Sequence, residues 1–484
     1  MKKILITCLT LGFFFASCDF DKGFEEMNVN PNSASQVGVA TKITKLQVDI
    51  SGSRYENWRN SFIYNSTIVQ HHAENNWWAG DTYTRNDDWS FAQWNQAYNT
   101  MVQGAHMGMA RIMRVFVFHR ITDLYGDCPY SEAGKGYSDG ILTPKYDSQQ
   151  DIYMDMLKEL EEAVAQISGD GALGSADVIF GGSAAHWKAF GNSMMLRLAM
   201  RLTQVDAATA QAWAVKAING GTMTSNAHIA SVKHGDGSTG NRNGHGEVFL
   251  ADQGSRISTS FMSRMVNDPR KTRLFMRQSD KSQVEADLMG MKNGLKNDPY
   301  TSLDGVAIPA AGDTGVYAMA ATELQSLTAP MVLQTYAEVE FLKAEAAIRG
   351  WISTSDKDHY EAGVTAGMKM LEGIYGTTPI SDAEVSTYLA GDGAYKASGS
   401  VAERWEQVMD QYWIATYFNE YEAYSNWRRS GFPTLTATRH PNSYTNGQFM
   451  VRMIYPTSES GNNAANYAAA VANQGADSYT TPLW

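Results

Sequence analysis

The clearest periodicity in the chain follows Asp147. Tyr153, Leu157, Leu160, Val164 and Ile167 recur at spacings of four, three, four and three, while Glu159, Glu161 and Glu162 fall mainly off that stripe. This is the pattern of an amphipathic helix that buries one face. Asp147 is its predicted cap, with Gln150 reaching back in a variant of the capping box. Few helix breakers interrupt residues 54–75 and 89–120, which read as long helices. A further helix is predicted over 184–202, with Met195, Leu198, Ala199 and Leu202 inward, and the next over 207–218, stopping at Gly220-Gly221. Residues 220–330 change character to Gly, Ser, Asn and Asp with short apolar runs, which predicts loops, short helices and a small hairpin. Helices resume over 331–349, with Gly350 as the terminator, then 356–374 and 400–428, where Gly431 and Pro433 end the run. The expectation is a mostly α fold. Successive helix pairs suggest a solenoid of the tetratricopeptide type, although the 34-residue signature of that repeat is not visible.

The first residues follow a different pattern. Lys2 and Lys3 precede an apolar run from Ile4 to Ala16, broken only by Thr7 and Thr10, and Phe15-Ala16-Ser17 leads directly into Cys18. The run is too short to span a bilayer and matches a signal-peptide core. It is read as a lipoprotein signal over residues 1–17, cleaved before Cys18, which then carries lipid and holds the chain to a membrane. Residues 18–35 form a polar leader with Asp19, Asp21, Lys22, Glu25 and Glu26, and residues 36–484 form the folded body. Of the three cysteines, Cys8 leaves with the signal and Cys18 is lipidated, so Cys128 alone remains, and it reads as a small buried residue. A disulfide or cysteine-based zinc site within one mature chain is thereby excluded. A formal net charge of −12 argues against nucleic acid as a partner, because phosphate binding needs a basic footprint.

Five segments together resemble the SusD/RagB family of outer-membrane nutrient-binding lipoproteins. They are Arg120-Ile121-Thr122-Asp123-Leu124-Tyr125-Gly126-Asp127, Trp187-Lys188-Ala189-Phe190-Gly191-Asn192, Phe341-Leu342-Lys343-Ala344-Glu345-Ala346, Trp427-Arg428-Arg429-Ser430-Gly431-Phe432-Pro433 and Arg452-Met453-Ile454-Tyr455-Pro456. They occur in the family order over nearly the whole body. Cys128 and Gly191 are departures, where a branched aliphatic residue and alanine are commoner. The resemblance implies about four helix pairs of tetratricopeptide type as a scaffold, with a large irregular lobe packed on it and insertions at about 220–330, 375–400 and 434–484. It also implies a non-catalytic lid on a SusC-like TonB-dependent transporter, capturing an oligosaccharide or, in some members, a peptide. Physically, the motif residues read as scaffold. Arg349, Arg428 and Arg429 sit at predicted helix ends, where cations meet the negative pole of the helix, with Glu345 and Glu422 as partners. Trp187 and Trp427 read as core, as do Tyr417, Tyr421 and Tyr424.

The candidate binding surface is elsewhere. Five of 12 tryptophans, Trp58, Trp77, Trp78, Trp89 and Trp94, fall between residues 58 and 94. The stretch from Asn75 to Trp89 is polar and lies between two predicted helices, so it reads as a surface loop. A sugar ring has apolar C–H faces and a rim of hydroxyls. Flat aromatic rings match the face, and amide, carboxylate and guanidinium groups match the rim. Trp77, Trp78, Tyr83 and Trp89 are therefore candidate platforms, and Asn75, Asn76, Asp81 and Arg85 candidate hydroxyl readers. The competing reading packs these rings inward to seal the loop, and it is favoured for Trp94 and Tyr98, four apart on a predicted helix. Two other function classes compete with capture. An all-α glycoside hydrolase would need a carboxylate pair, for which Asp81, Asp87 and Asp88 are the nearest candidates. A helical-repeat adaptor would need no small ligand. No cofactor is indicated. His71-His72 with Glu74 lacks zinc-helix spacing and reads as exposed histidines, and the Asp-rich loops, which could hold calcium, lack the twelve-residue calcium-loop pattern. Gly181 and Gly182 precede a helix without the strand and lysine of a phosphate-cradling loop.

Overall fold

The structure is a computed structural model that describes residues 38–74, 80–83, 107–170, 173–235, 241–295, 302–303, 305–308 and 314–484. Its main helices are α1 (Val39–Ile50), α2 (54–68), α3 (Met107–Tyr125), α4 (Gln149–Gln166), α5 (Ala184–Arg201), α6 (Ala207–Asn219), α7 (Gly244–Ala251), α8 (Tyr336–Ile348), α9 (Asp356–Tyr375), α10 (Asp382–Ala390), α11 (Val401–Ala415), α12 (Glu420–Ser430) and α13 (Ala464–Gln474). None of the described helices is long and apolar enough to cross a membrane.

Four helix pairs build the scaffold: α3 with α4, α5 with α6, α8 with α9, and α11 with α12. Helix α4 packs on α5, α5 on α8, and α8 on α11, so each pair covers the open face of the next. Helix α4 buries Tyr153, Leu157 and Leu160 of the predicted stripe together with Ile152, Met156 and Ala163, while Val164 is half-buried and Ile167, also buried, caps the end. Its cap differs. Ser148 is extended and its hydroxyl accepts from Asp151 N at 3.1 Å. Asp147 lies one residue upstream in a short strand, where its carboxylate accepts from Ser131 N and Oγ at 2.7 and 2.9 Å. Gly191 lets α5 approach its neighbours, because a Cβ there would stand 2.5 Å from Val164 Cγ2 and 3.0 Å from Ile112 Cδ1.

The scaffold interior holds paired charges. Arg197 meets Glu338 at 2.7 Å and Glu422 at 3.1 Å, and Arg201 meets Glu422 at 2.5 Å. Arg429 and Arg349 both reach Glu345 at 2.8 Å. These bonds tie α5, α8 and α12 together; the guanidinium charges hold Glu345 and Glu422 below the usual carboxylate range, whereas burial outweighs Arg197 at Glu338 and raises it. Arg428 departs from its expected pairing. Its guanidinium donates to the carbonyls of Val451, at 2.8 Å, and Asp123, and it stacks on Tyr424. Trp187, Trp427, Tyr417, Tyr421 and Tyr424 are buried, as the sequence suggests, and so is the free thiol of Cys128.

Several predicted boundaries shift. Residues 331–349 divide into a strand, Met331–Gln334, and α8, whose cap Thr335 accepts from Glu338 N at 3.1 Å. Residues 400–428 divide at 416–419, where Phe418 has a φ of 70°. The first long helix ends at 68 rather than 75 and carries π-helical turns over Asn57–Asn65. Regular helices α10 and α13 occupy two of the stretches expected to be irregular. The lobe over 220–330 does contain loops, short helices and small antiparallel ladders. One ladder, Ala230–Val232 on Met331–Gln334, closes the insertion at its two ends. Another, His72–Ala73 on Arg256–Ile257, joins it to the residues preceding the tryptophan-rich stretch.

Candidate functional site

Two described segments, 70–74 and 80–83, flank the leading part of the tryptophan-rich stretch. Asn75, Asn76, Trp77, Trp78, Arg85 and Trp89, together with Trp94, Tyr98 and the lipidation residue Cys18, lie outside the described residues. The two candidates that are described, Asp81 and Tyr83, are buried rather than open to a ligand. The cause is the close fit of 80–83 against α2, where a Cβ on Gly80 would lie 1.7 Å from the Ile63 carbonyl oxygen. Asp81 serves as a local hub. Its Oδ2 accepts from Gly294 N at 3.0 Å, Glu74 N at 3.1 Å and Asn293 Nδ2 at 3.3 Å. Its carbonyl accepts from the Thr438 hydroxyl. The side chain that sequence reasoning assigns to sugar hydroxyls therefore fastens the two flanks of the loop to the lobe.

The histidines before the loop are also interior, contrary to the exposed placement expected from sequence. His71 Nδ1 lies 2.7 Å from Glu420 and Nε2 3.0 Å from the Trp413 carbonyl, and the ring stacks on Phe261. His72 Nε2 lies 3.1 Å from the Tyr417 hydroxyl. Burial, reinforced by the neighbouring His71 and His245, holds His72 well below the usual imidazole range, so it is neutral at physiological pH. Glu74 is fully buried, and among the described residues only the Ser255 hydroxyl and the Arg256 charge act to keep it ionised. Burial first, and Asp81 second, pushes Glu74 well above the carboxylate range. Burial also pushes Asp81 up to about 7, against the pull of its backbone and amide donors. No group of three or more His, Cys, Asp or Glu among the described residues is placed to hold a metal ion.

The outer wall beside this base is the segment 436–448. Tyr444 N donates to the Tyr83 carbonyl at 2.9 Å, while the Tyr444 side chain stays open, with the residue 59 % exposed. In the same segment the Ser443 and Thr445 hydroxyls bond at 2.9 Å, and Arg439, Asn442 and Asn446 are exposed. An exposed aromatic ring in a segment that also exposes amide and guanidinium groups has the composition of a sugar-contact surface. Sequence reasoning missed Tyr444. Its signal was a lone aromatic within the turn-forming run Asn442-Ser443-Tyr444-Thr445-Asn446-Gly447, the same logic that drew attention to the tryptophans.

The motif residues Asp123, Arg428 and Trp427, with Arg201 of α5, border a separate cavity of about 460 Å³. Their principal polar contacts are internal. Asp123 takes the Tyr153 hydroxyl, Arg201 binds Glu422, and Trp427 Nε1 donates to the Pro433 carbonyl at 3.2 Å. These residues lock the scaffold.

Residues 31–456 match the SusD-like family described as starch-binding and associating with the outer membrane. No curated protein matches the chain. Among solved structures, the chain is similar to a chitin-binding protein, with 30% identity, a TM-score of 0.78, and coverage of 92% of this chain and 99% of the other. It is similar to a Bacteroidetes SusD-like protein at 27% identity and a TM-score of 0.78, covering 93% and 99% of the two chains. A chitin-binding SusD homolog from Flavobacterium johnsoniae shares the fold at 22% identity and a TM-score of 0.77, covering 92% and 98%. With the family matched over most of its length and its scaffold of four helix pairs, the chain belongs to the SusD/RagB family of outer-membrane, glycan-binding surface proteins.

Proposed function

We propose that the chain captures an oligosaccharide at the face bounded by residues 80–83 and 436–446 and passes it, uncleaved, to a SusC-like TonB-dependent transporter. Lipid on Cys18 tethers it beside that partner. The observation that carries this reading is the exposed Tyr444 ring, whose backbone is fastened to Tyr83 at the foot of the tryptophan-rich stretch. Trp77, Trp78 and Trp89 add stacking surfaces, and Asn75, Asn76 and Arg85 add hydroxyl contacts. Asp81 and Tyr83 act from beneath, as anchors rather than contacts. A hydrolytic role for Asp81 finds no support in its placement, because the residue is fully buried and its Oδ2 is taken by interior donors. Tethering raises the effective concentration of lid and transporter, so single-site affinity need not be high. The 30%-identical chitin-binding relative makes chitin-derived oligosaccharides the leading cargo, with starch fragments next. Calorimetric titration of the lipid-free chain with chitohexaose and maltohexaose tests the reading, with chromatography of the recovered sugar. Saturable binding and intact sugar are expected. Shortened products would replace capture by hydrolysis, and absence of binding to either sugar would remove the glycan assignment.

A further inference from the structure

We propose a second saccharide-contact site, built around Trp351 in the groove between the second and third helix pairs. It rests on the oligosaccharide reading above but uses none of the same residues. Trp351 closes the turn after α8, where its N–H donates to the Ala346 carbonyl at 2.9 Å and Gly350 takes a φ of 73°. Arg349 lies over the ring, 5.4 Å from its centroid, and at the same distance from the Trp405 ring. Glu345 holds that guanidinium at 2.8 Å. The indole is therefore braced on a salt-bridged cation, yet it remains partly exposed. A rigid, partly open ring loses little conformational entropy when a ligand arrives.

In front of the ring lies a groove of about 670 Å³, within the range of small-ligand sites. Val215 and Ile218 of α6 form an apolar wall, and Asn219, Ser353 and Thr354 form an exposed polar rim. The charged groups bordering it are already engaged. Lys343 binds Glu340 at 2.9 Å, and His359 bonds Glu340 at 2.6 Å and the Thr354 hydroxyl at 2.9 Å. The groove thus offers a flat apolar surface and neutral hydrogen-bonding groups without an unbalanced charge. That combination suits a neutral sugar ring better than an anion or a basic peptide. A long glycan that touches both this groove and the loop face gains avidity, whereas a short one occupies either site alone.

Four proteins test this: the wild type, Trp351→Ala, the Trp77→Ala/Trp78→Ala double variant, and the triple variant. Each is titrated with chitohexaose and assayed for retention on insoluble chitin. Ser353→Leu, which fills the groove from its exposed rim, provides a version that leaves the Arg349 brace intact. Trp351→Ala and Ser353→Leu should leave the tighter hexaose affinity within about twofold and weaken retention on chitin about tenfold. The double variant should keep a weak site that the triple variant loses. Unchanged retention, with double and triple variants indistinguishable, overturns the second site and leaves the loop reading standing. A double variant that binds hexaose as tightly as the wild type overturns the loop reading instead. A wild type that binds neither hexaose nor chitin overturns both.

Discussion

The scaffold and the base of the tryptophan-rich loop bury carboxylates in opposite ways. In the scaffold, Glu345 lies between Arg429 and Arg349, and Glu422 between Arg197 and Arg201. Although burial opposes ionisation, the guanidinium charges prevail and hold both carboxyls below their usual range. At the loop base, Glu74 and Asp81 are equally buried, but Arg256 spends its guanidinium on the oxygens of Thr314, Gln253 and Ser255. Both carboxyls there are raised. The contrast teaches where rigidity and sensitivity reside. Arginine pairs hold Glu345 and Glu422 charged in the frame, and their lack makes the base of the tryptophan-rich stretch dependent on pH.

The largest expected effect breaks the scaffold side. Arg197→Met strands Glu338 in the interior and leaves Glu422 to Arg201 alone, and should lower unfolding free energy by about 3–5 kcal/mol in urea titrations. A loss below about 1 kcal/mol would show that the paired charges are not what fixes the frame. The next effect sharpens the loop side. Asp81 ionises near 3.8 when unfolded and near 7 when folded, so its neutral burial favours the native state fully below the lower value. That contribution is lost as pH rises through about 7, a swing of at most about 4 kcal/mol. Glu74, also raised by burial, adds a loss of the same sign. Asp81→Asn keeps an acceptor for Gly294 N and Glu74 N, and should flatten the fall in thermal midpoint between pH 4 and 7. An unchanged pH profile would disconnect that carboxyl from stability. A smaller effect belongs to the helix cap. Ser148→Ala should cost about 1 kcal/mol of stability through loss of its bond to Asp151 N.

The fold was legible where one element answers to one periodicity. Helix α4 buries a single face, so its stripe could be read directly. The strand Met331–Gln334 was not separable from α8, because a four-residue buried strand and a buried helical turn have the same apolar composition. Thr335, capping onto Glu338, was the missed punctuation. The break at 416–419 has neither Gly nor Pro, and its positive φ falls on Phe418, a residue that gives no warning. At the candidate site, local sequence does not reveal the direction of the described side chains. His71 is drawn inward by Glu420, 349 residues later, and Asp81 by Gly294 and Asn293 in the lobe. Such long-range partners leave no local pattern, and the same holds for Tyr444, whose segment is held beside residues 70–83 by the bonds of Tyr444 N to Tyr83, Thr438 to Asp81 and Gln70 to Thr436.

Calorimetric titration of chitohexaose into the wild type and into Trp77→Ala, Trp78→Ala and Tyr444→Ala, with thermal midpoints recorded on the same samples, tests aromatic glycan capture most directly. Each variant should bind at least about tenfold more weakly, a loss of about 1.4 kcal/mol, with midpoints within about 2 °C of the wild type. Variants that bind as tightly as the wild type, or that lose affinity and folding together, would contradict the account.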